Sequence, residues 1–194
     1  MYTNAYISQT FLESCVRDRK IFIDTSALMQ DSSPTFFRNI VPILKRERKV
    51  IFVPFSVKHE LEKLTSDADF CKRRRAIEAL KLLDDNAQVI EFCGDNDCKF
   101  ADNDILATVT KLRLKHEIVL VTQDRNLASA VLNLGKDTYA VRNVKKIFVQ
   151  RLDERGFLQR VFAKPKPNAK GVVNTNFADT SYHTPFGDFN ISYA

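Results

Sequence analysis

The chain has 194 residues, 44% of them hydrophobic and 10% aromatic, which is enough apolar material for one sizeable core, so we expect one main domain. Its formal charge of +6 comes from 30 Lys and Arg against 24 Asp and Glu; this balance suits an enzyme that acts on a polyanion but identifies no partner by itself. The four cysteines lack paired CxxC spacing, which argues against a disulfide scaffold and predicts reduced thiols.

The first elements alternate between helix and strand. Apolar residues near the start predict a lead-in helix over 1–19, and the β-prone run KIFID at 20–24 predicts a buried strand. Ser33 and Pro34 resemble an N-cap followed by proline at the first helical position, opening a helix to about Lys49 that Pro42 should kink. The run VIFVP at 50–54 predicts a second buried strand that ends at a proline.

The same alternation continues to residue 144. Ser56 is the predicted N-cap of the next helix, and Gly135 is the predicted end of the last one. Further helices are predicted at about 69–85 and 102–115, with strands at 88–92 and 118–122 and a fifth strand in TYAVR at 138–142. This order predicts an α/β fold, a three-layer sandwich around a mostly parallel sheet of about five strands.

The pattern changes after this domain, which we place at 20–144. KKIFVQRL and FLQRVF flank DERG, which predicts a basic β-hairpin extension over 145–163. The remainder, 164–194, is rich in Asn, Pro, Ser, Thr and Gly, and we expect a flexible tail there.

Acidic residues follow the strands at corresponding places. Asp24 ends the first strand, Glu60 lies on the helix after the second, Asp102 opens the helix after the third, and Asp124 follows the fourth. Because parallel strands carry their carboxyl ends to one edge of the sheet, these four side chains should meet there. Clustered carboxylates repel one another and are stabilised by cations, and hard oxygen ligands favour Mg²⁺ or Mn²⁺. The pattern therefore predicts metal-assisted hydrolysis of phosphodiester bonds.

Four segments resemble the successive motifs of PIN-domain nucleases: IDTSALM at 23–29, PFSVKHELEKL at 54–64, ADNDILA at 101–107 and VTQDRNLA at 121–128. The resemblance covers roughly residues 20–142 and is closest to the branch with PIN modules of PhoH-type and RNA-decay proteins. It implies that Asp24, Glu60, Asp102 and Asp124 are catalytic, metal-binding acids. It also implies supporting roles for Ser26 and Asn126, while Asp104 would be an auxiliary metal ligand or a surface acid.

Each acid taken alone also has an ordinary structural explanation. Asp102 and Asp124 lie where helix N-caps are favoured, and Glu60 could be a solvated residue that pairs with Lys63 one turn later. Only the set of four supports a reactive centre. Asp24 is the most informative member, because an acid that ends a buried strand is costly unless it binds something.

Two basic stretches are candidates for nucleic-acid binding. Phe148, Phe157 and Phe162 interleave with the second stretch, either as stacking platforms for a single strand or as the buried face of the hairpin. The candidate phosphate-binding residues are Lys72, Arg73, Arg74 and Arg75 in the first stretch and Lys145, Lys146, Arg151, Arg155 and Arg160 in the second.

The predicted function is a metal-dependent endoribonuclease that prefers single-stranded RNA. A catalytically silent PIN-like module that binds RNA or protein is the main alternative, followed by a toxin-type or structure-specific DNA nuclease. Phosphatases of the HAD type and response-regulator receivers fit less well, because a HAD enzyme needs an aspartate where this chain has Ser26.

The expected partner is RNA, and a homodimer or a protein partner stays open. The sequence opens with no basic segment followed by an apolar run, and no stretch approaches the ~18 apolar residues of a membrane span. We therefore expect a cytoplasmic protein without membrane contact.

Overall fold

A computed structural model describes residues 2–94, 101–136 and 144–161 of the chain. In these residues, seven α-helices alternate with six β-strands. The helices are α1 (Tyr2–Asp18), α2 (Thr25–Leu28), α3 (Ser33–Glu47), α4 (Phe55–Leu64), α5 (Phe70–Asp85), α6 (Ala101–Leu112) and α7 (Arg125–Lys136). The strands are β1 (Lys20–Ile23), β2 (Ile51–Pro54), β3 (Ile90–Cys93), β4 (Ile118–Val121), β5 (Ile147–Leu152) and β6 (Leu158–Val161).

The six strands form one sheet in the order β3-β2-β1-β4-β5-β6. The first five are parallel to their neighbours, and β6 is antiparallel to β5. The chain leaves β1 toward β2 on one side and leaves β4 toward β5 on the other, so the strand order reverses between β1 and β4. In sheets of this kind ligands bind beyond the carboxyl ends of the strands at such a reversal.

The predicted α/β fold is confirmed, with six strands where the sequence predicted about five. The additional strand is explained by the hairpin, because β5 pairs in parallel with β4 and so belongs to the central sheet. TYAVR, the predicted fifth strand, lies outside the described residues. The tail at 164–194 and Phe162 lie outside them as well.

The core is centred on three strands, β1, β2 and β4. Every residue of β2 and β4 is buried, as are three of the four in β1. Each buried aliphatic or aromatic side chain stabilises the fold by about 1.5–3 kcal/mol through removal from water. The lead-in helix joins this core through Leu12, Cys15 and Val16, so α1 packs with the sheet domain.

Three predicted helix boundaries are wrong. Ser32, not Ser33, is the N-cap of α3, and Ser33 is its first, buried residue. Pro54, not Ser56, is the N-cap of α4. The Ser56 hydroxyl donates to the Asp104 carboxylate and not to its own helix. The helix α7 ends at Lys136 and includes Gly135.

The β5–β6 turn packs against the start of α3. Gly156 has a φ of +76°, and a Cβ there would lie 2.8 Å from the Phe36 nitrogen and 2.9 Å from the Ser32 oxygen. Only glycine combines this backbone conformation with so close an approach. The turn is thereby fixed at the same edge of the sheet as the end of β1.

None of the helices in the described parts of the chain has both the length and the apolar character needed to cross a membrane.

Candidate active site

Asp24 and Asp124 lie at the reversal of strand order. Asp24 directly follows β1, and Asp124 lies three residues after the end of β4. The two strands are hydrogen-bonded neighbours in parallel register, with Ile23 opposite Val121. The two acids therefore lie side by side at the carboxyl edge of the sheet, as predicted from the sequence.

Two hydroxyl groups fix the carboxylate of Asp24. Ser26 Oγ donates to Asp24 Oδ2 at 2.6 Å, and Thr122 Oγ1 donates to the same oxygen at 2.9 Å. Asp24 is only 4% exposed. Burial raises the pKa of Asp24, while the hydrogen bonds from Ser26, Thr122 and two backbone amides lower it by less than burial raises it. The carboxylate is held in one orientation, but its negative charge is costly.

The same hydroxyls accept hydrogen bonds from the backbone that follows β4. Ser26 Oγ accepts from the amides of Gln123 and Asp124 at 2.9 and 3.2 Å, and Thr122 Oγ1 accepts from that of Asp124 at 3.0 Å. Each hydroxyl proton points at Asp24, and the lone pairs of each hydroxyl oxygen point at these amides. Ser26, a predicted supporting residue, thus joins the segments that carry Asp24 and Asp124.

Asp124 is also the first turn's acceptor in α7. Its Oδ1 accepts from the backbone amides of Asn126 and Leu127 at 2.6 and 2.8 Å. With this geometry Asp124 can both cap α7 and belong to the site, since a carboxylate has two oxygens. Asn126 contributes its backbone amide here, and its side chain is exposed.

Glu60 is brought to this edge by α4. Thr25 Oγ1 donates to Glu60 Oε2 at 2.7 Å, and Thr25 follows Asp24 directly in the chain. The side chain of Glu60 is exposed and therefore accessible to a ligand. The structure thus gives Glu60 a partner 35 positions away in the chain, whereas the alternative explanation paired it with Lys63 on its own helix.

Asp102 completes the group from the first turn of α6. Desolvation raises the pKa of Asp102, and so do the negative charges of Asp24, Asp124 and Glu60, in that order of effect. Three acids from three other segments are thus close enough to Asp102 for their charges to act on it.

Asp104, two residues after Asp102, is held by its own pair of hydroxyl groups. Its Oδ2 accepts from Ser56 Oγ at 2.7 Å and its Oδ1 from Thr108 Oγ1 at 3.4 Å. It is 4% exposed, so the prediction of a surface acid is wrong. A Cβ on Gly94, whose φ is +89°, would lie 2.5 Å from Asp104 Oδ1. Asp104 therefore links α4, α6 and the end of β3.

Sequence reasoning missed three residues that shape this centre: Thr25, Thr122 and Gln123. Gln123 Nε2 donates to the Leu152 oxygen at 2.7 Å, and its Oε1 accepts from Arg151 Nε at 2.8 Å. The available signal was their adjacency to Asp24 and Asp124. Hydroxyl and amide groups beside a buried acid are natural candidates for its hydrogen-bond donors.

The first basic stretch lies at the start of α5, near the same edge. Arg75 makes two hydrogen bonds to Asp31, at 3.2 and 3.1 Å, and Asp31 lies shortly after α2. Arg74 pairs with Glu78 at 3.5 Å, while Lys72 is exposed. The guanidinium of Arg73 donates to the backbone oxygen of Asp67 at 2.7 Å.

The second basic stretch is divided by the hairpin. Arg151 and Arg155 lie at the carboxyl end of β5, whereas Lys145 and Lys146 precede β5 and lie at the opposite end of the sheet. Arg160 is on β6, with its guanidinium 5.1 Å from the centre of the Phe148 ring.

Residues 21–138, more than half of the chain, match the family described as PIN domain. No curated protein is significantly similar to the chain. The matched range holds all four acids, and the members of this family are generally nucleases that typically use divalent metal ions. On this evidence the chain belongs to the PIN-domain family.

Proposed function

We propose that this protein is a metal-dependent endoribonuclease that hydrolyses phosphodiester bonds in RNA, with a preference for single-stranded RNA. The observation that carries the proposal is the meeting of acids at the carboxyl edge of the sheet, where Asp24 and Asp124 follow neighbouring parallel strands and Glu60 accepts a hydrogen bond from Thr25. The charges of these three acids also raise the pKa of Asp102. Repelling acids at one ligand-binding edge are a costly arrangement that a cation relieves.

The donor chemistry fits Mg²⁺ or Mn²⁺. Asp24, Glu60, Asp102 and Asp124 supply hard carboxylate oxygens, the ligands these ions prefer. In the described part of the chain, no three His, Cys, Asp or Glu side chains are grouped tightly enough to hold one ion between them. Mg²⁺ does not require such a group, because it usually keeps several water ligands and binds through one or two carboxylates.

A bound ion would supply a water of lowered pKa and would stabilise negative charge on the phosphate oxygens. The chain's own contribution is preorganisation. Ser26 and Thr122 fix the Asp24 carboxylate, and Thr25 fixes Glu60. Because these contacts are made before a substrate binds, little reorganisation is needed at the moment of reaction.

A polyanionic substrate is supported by the cations around the same edge. Arg151 is held by Gln123, the residue between Thr122 and Asp124, and Arg155 is exposed in the adjacent turn. Lys72 and Arg74 are exposed on α5. Such residues attract a phosphate backbone independently of its sequence.

A catalytically silent RNA- or protein-binding module is the second candidate. It is favoured by the spacing of the acids, since no tight group of three occurs among the described residues. A DNA nuclease, including a toxin-type enzyme, would use the same acids, so the nucleic acid has to be varied in the test.

The test is cleavage of end-labelled single-stranded RNA and DNA of one sequence by wild-type protein and by Asp24→Asn, with Mg²⁺, Mn²⁺ or EDTA. We expect internal cleavage of the RNA that EDTA abolishes and that the variant lacks, read on a denaturing gel. Binding of RNA without cleavage in either metal would support the silent module. Metal-dependent cleavage of DNA alone would identify a DNA nuclease.

A further inference from the structure

Phe70 is an aromatic side chain that lies largely in solvent. It is 63% exposed, and it is the first residue of α5 after the N-cap Asp69. A single exposed apolar residue is common on protein surfaces and needs no explanation by itself. The surroundings of Phe70 are therefore what decide its meaning.

One cation contacts this ring, and two more are exposed nearby on α5. The guanidinium of Arg73 lies 5.5 Å from the centre of the Phe70 ring, within the range of a cation–π contact. Arg73 is itself fixed by its hydrogen bond to the Asp67 oxygen. Lys72 and Arg74 are exposed on the same turn of α5. An exposed ring among fixed and mobile cations is the composition that binds single-stranded nucleic acid.

The nearby acids are engaged by the turn that precedes α5. Asp67 accepts from the backbone amide of Asp69 at 2.8 Å, and Asp69 accepts from those of Cys71 and Lys72 at 2.8 and 3.3 Å. These bonds organise the tip between α4 and α5. They also direct both carboxylates toward backbone amides of the chain.

The course of α4 and one ion pair of α5 relate this surface to the carboxylate group. The helix α4 carries Glu60, and its last residue, Leu64, is about 6 Å further along the helix axis. The helix α5 then returns from Phe70 to Arg75, which pairs with Asp31 beyond α2. The turn between α4 and α5 is thus connected to the site through both helices, by the course of α4 and by the Arg75–Asp31 pair of α5.

The aromatic residues predicted as stacking platforms in the hairpin are less suited to that role. The guanidinium groups of Arg19 and Arg160 lie 4.4 and 5.1 Å from the centre of the Phe148 ring, which is only partly exposed. Phe157 is partly buried, and the guanidinium of Arg155 lies 5.6 Å from its centre. Phe70 is more accessible than either.

We propose that Phe70, Lys72, Arg73 and Arg74 form a platform on which single-stranded RNA binds beside the carboxylate group, with one base stacked on the Phe70 ring. The choice of RNA rests on the proposed function. The cations hold the phosphates, and the ring requires an unpaired base, so the platform selects single strands over duplexes.

The stacking component is tested with labelled single-stranded RNA and with an oligonucleotide of equal length that lacks bases, by fluorescence anisotropy in EDTA. We expect Phe70→Ala to bind the RNA roughly 5- to 150-fold more weakly and to bind the base-free strand as wild type does. Phe70→Tyr should bind as wild type, and Phe70→Leu as weakly as the alanine variant. Leu114→Ala is the matched control, because Leu114 is 55% exposed and lies just before β4.

The charge component is tested by pairing two double variants that each remove two positive charges. Lys72→Ala with Arg74→Ala should reduce the salt dependence of RNA binding by about 1.4 in the log–log slope. Lys49→Ala with Lys115→Ala, which alters exposed residues at the opposite edge of the sheet, should leave the slope within error. Equal effects of the two pairs would show that only net charge matters and would overturn the platform.

A third measurement locates the RNA without any substitution. Cys71 is exposed between Phe70 and Lys72, so bound RNA should slow its alkylation, read peptide by peptide by mass spectrometry. Unchanged alkylation at saturating RNA, or unchanged RNA affinity of Phe70→Ala, would overturn the platform even if the protein cleaves RNA. Conversely, a protein that binds RNA through Phe70 but cleaves nothing keeps the platform and loses the proposed catalysis. Tighter binding of DNA of the same sequence would overturn RNA as the ligand.

Discussion

Asp24 and Asp104 are both buried aspartates, each 4% exposed, and each accepts hydrogen bonds from two hydroxyl side chains. Their neighbours differ. The charge of Asp24 acts on Asp102, another acid at the carboxyl edge, whereas Asp104 lies against the backbone of Gly94. Burial and hydroxyl donors are therefore shared by the proposed reactive acid Asp24 and by Asp104, so these two features alone do not mark an acid as reactive.

The largest expected difference is in catalysis and uses two acids of one helix turn. Asp102→Asn should reduce RNA cleavage by at least about a hundredfold, because it removes one of the four facing carboxylates. Asp104→Asn should keep cleavage within about tenfold of wild type, since its contacts are to Ser56 and Thr108. Single-turnover rates at a temperature where both variants are folded provide the measurement. Equal losses in the two variants would assign Asp104 to the reactive group.

The next difference is in stability and has opposite signs for the two buried acids. Asp104→Asn should lower the free energy of unfolding by about 1.5–3 kcal/mol, because a buried carboxylate that accepts from Ser56 and Thr108 is replaced by a group with one acceptor oxygen. Asp24→Asn should instead raise the midpoint of urea denaturation at neutral pH without divalent metal. Burial raises the pKa of Asp24 in the folded state, so the ionised form opposes folding.

The sign of the Asp24 effect can be followed with pH. An acid whose folded pKa is above its unfolded pKa stabilises the fold at low pH, and that contribution is lost as pH rises through the folded pKa. The advantage of Asp24→Asn should therefore be greatest at neutral pH, shrink as pH falls through the raised pKa of Asp24, and level off at its minimum below the ordinary pKa of aspartate, about 4. A constant advantage at every pH would mean that the ionisation of Asp24 is not its cause.

The smallest expected effect is a coupling between Asp104 and Gly94. Gly94→Ala should lower the free energy of unfolding by about 1–3 kcal/mol, because its φ is +89° and the new Cβ would collide with the Asp104 carboxylate. In an Asp104→Ala background only the backbone strain remains, so the same substitution should cost less. A double-mutant cycle by urea denaturation measures the difference, and strict additivity would contradict the contact.

The fold was predictable to the extent that local patterns report it. The strands β1, β2 and β4 are short apolar runs that are buried almost throughout, which is how central parallel strands are expected to look. The hairpin was recognised from its turn, but its membership of the central sheet was not. Whether β5 joins the sheet depends on the edge strand with which it pairs, here β4, and that pairing is a property of the assembled sheet.

The sequence by itself predicted that Asp24, Glu60, Asp102 and Asp124 lie near one edge of the sheet, because the segments that follow parallel strands all begin at that edge. The family match over 21–138 covers the same residues. Only the tertiary structure decided which hydroxyls hold these acids and that Asp104 accepts from Ser56 and Thr108. Thr25 is 35 positions from Glu60 and Thr122 is 98 from Asp24, and no local pattern reports contacts at such separations. Residues two positions apart on a helix, such as Asp102 and Asp104, point in different directions, and the packing of α6 fixes where each of them lies.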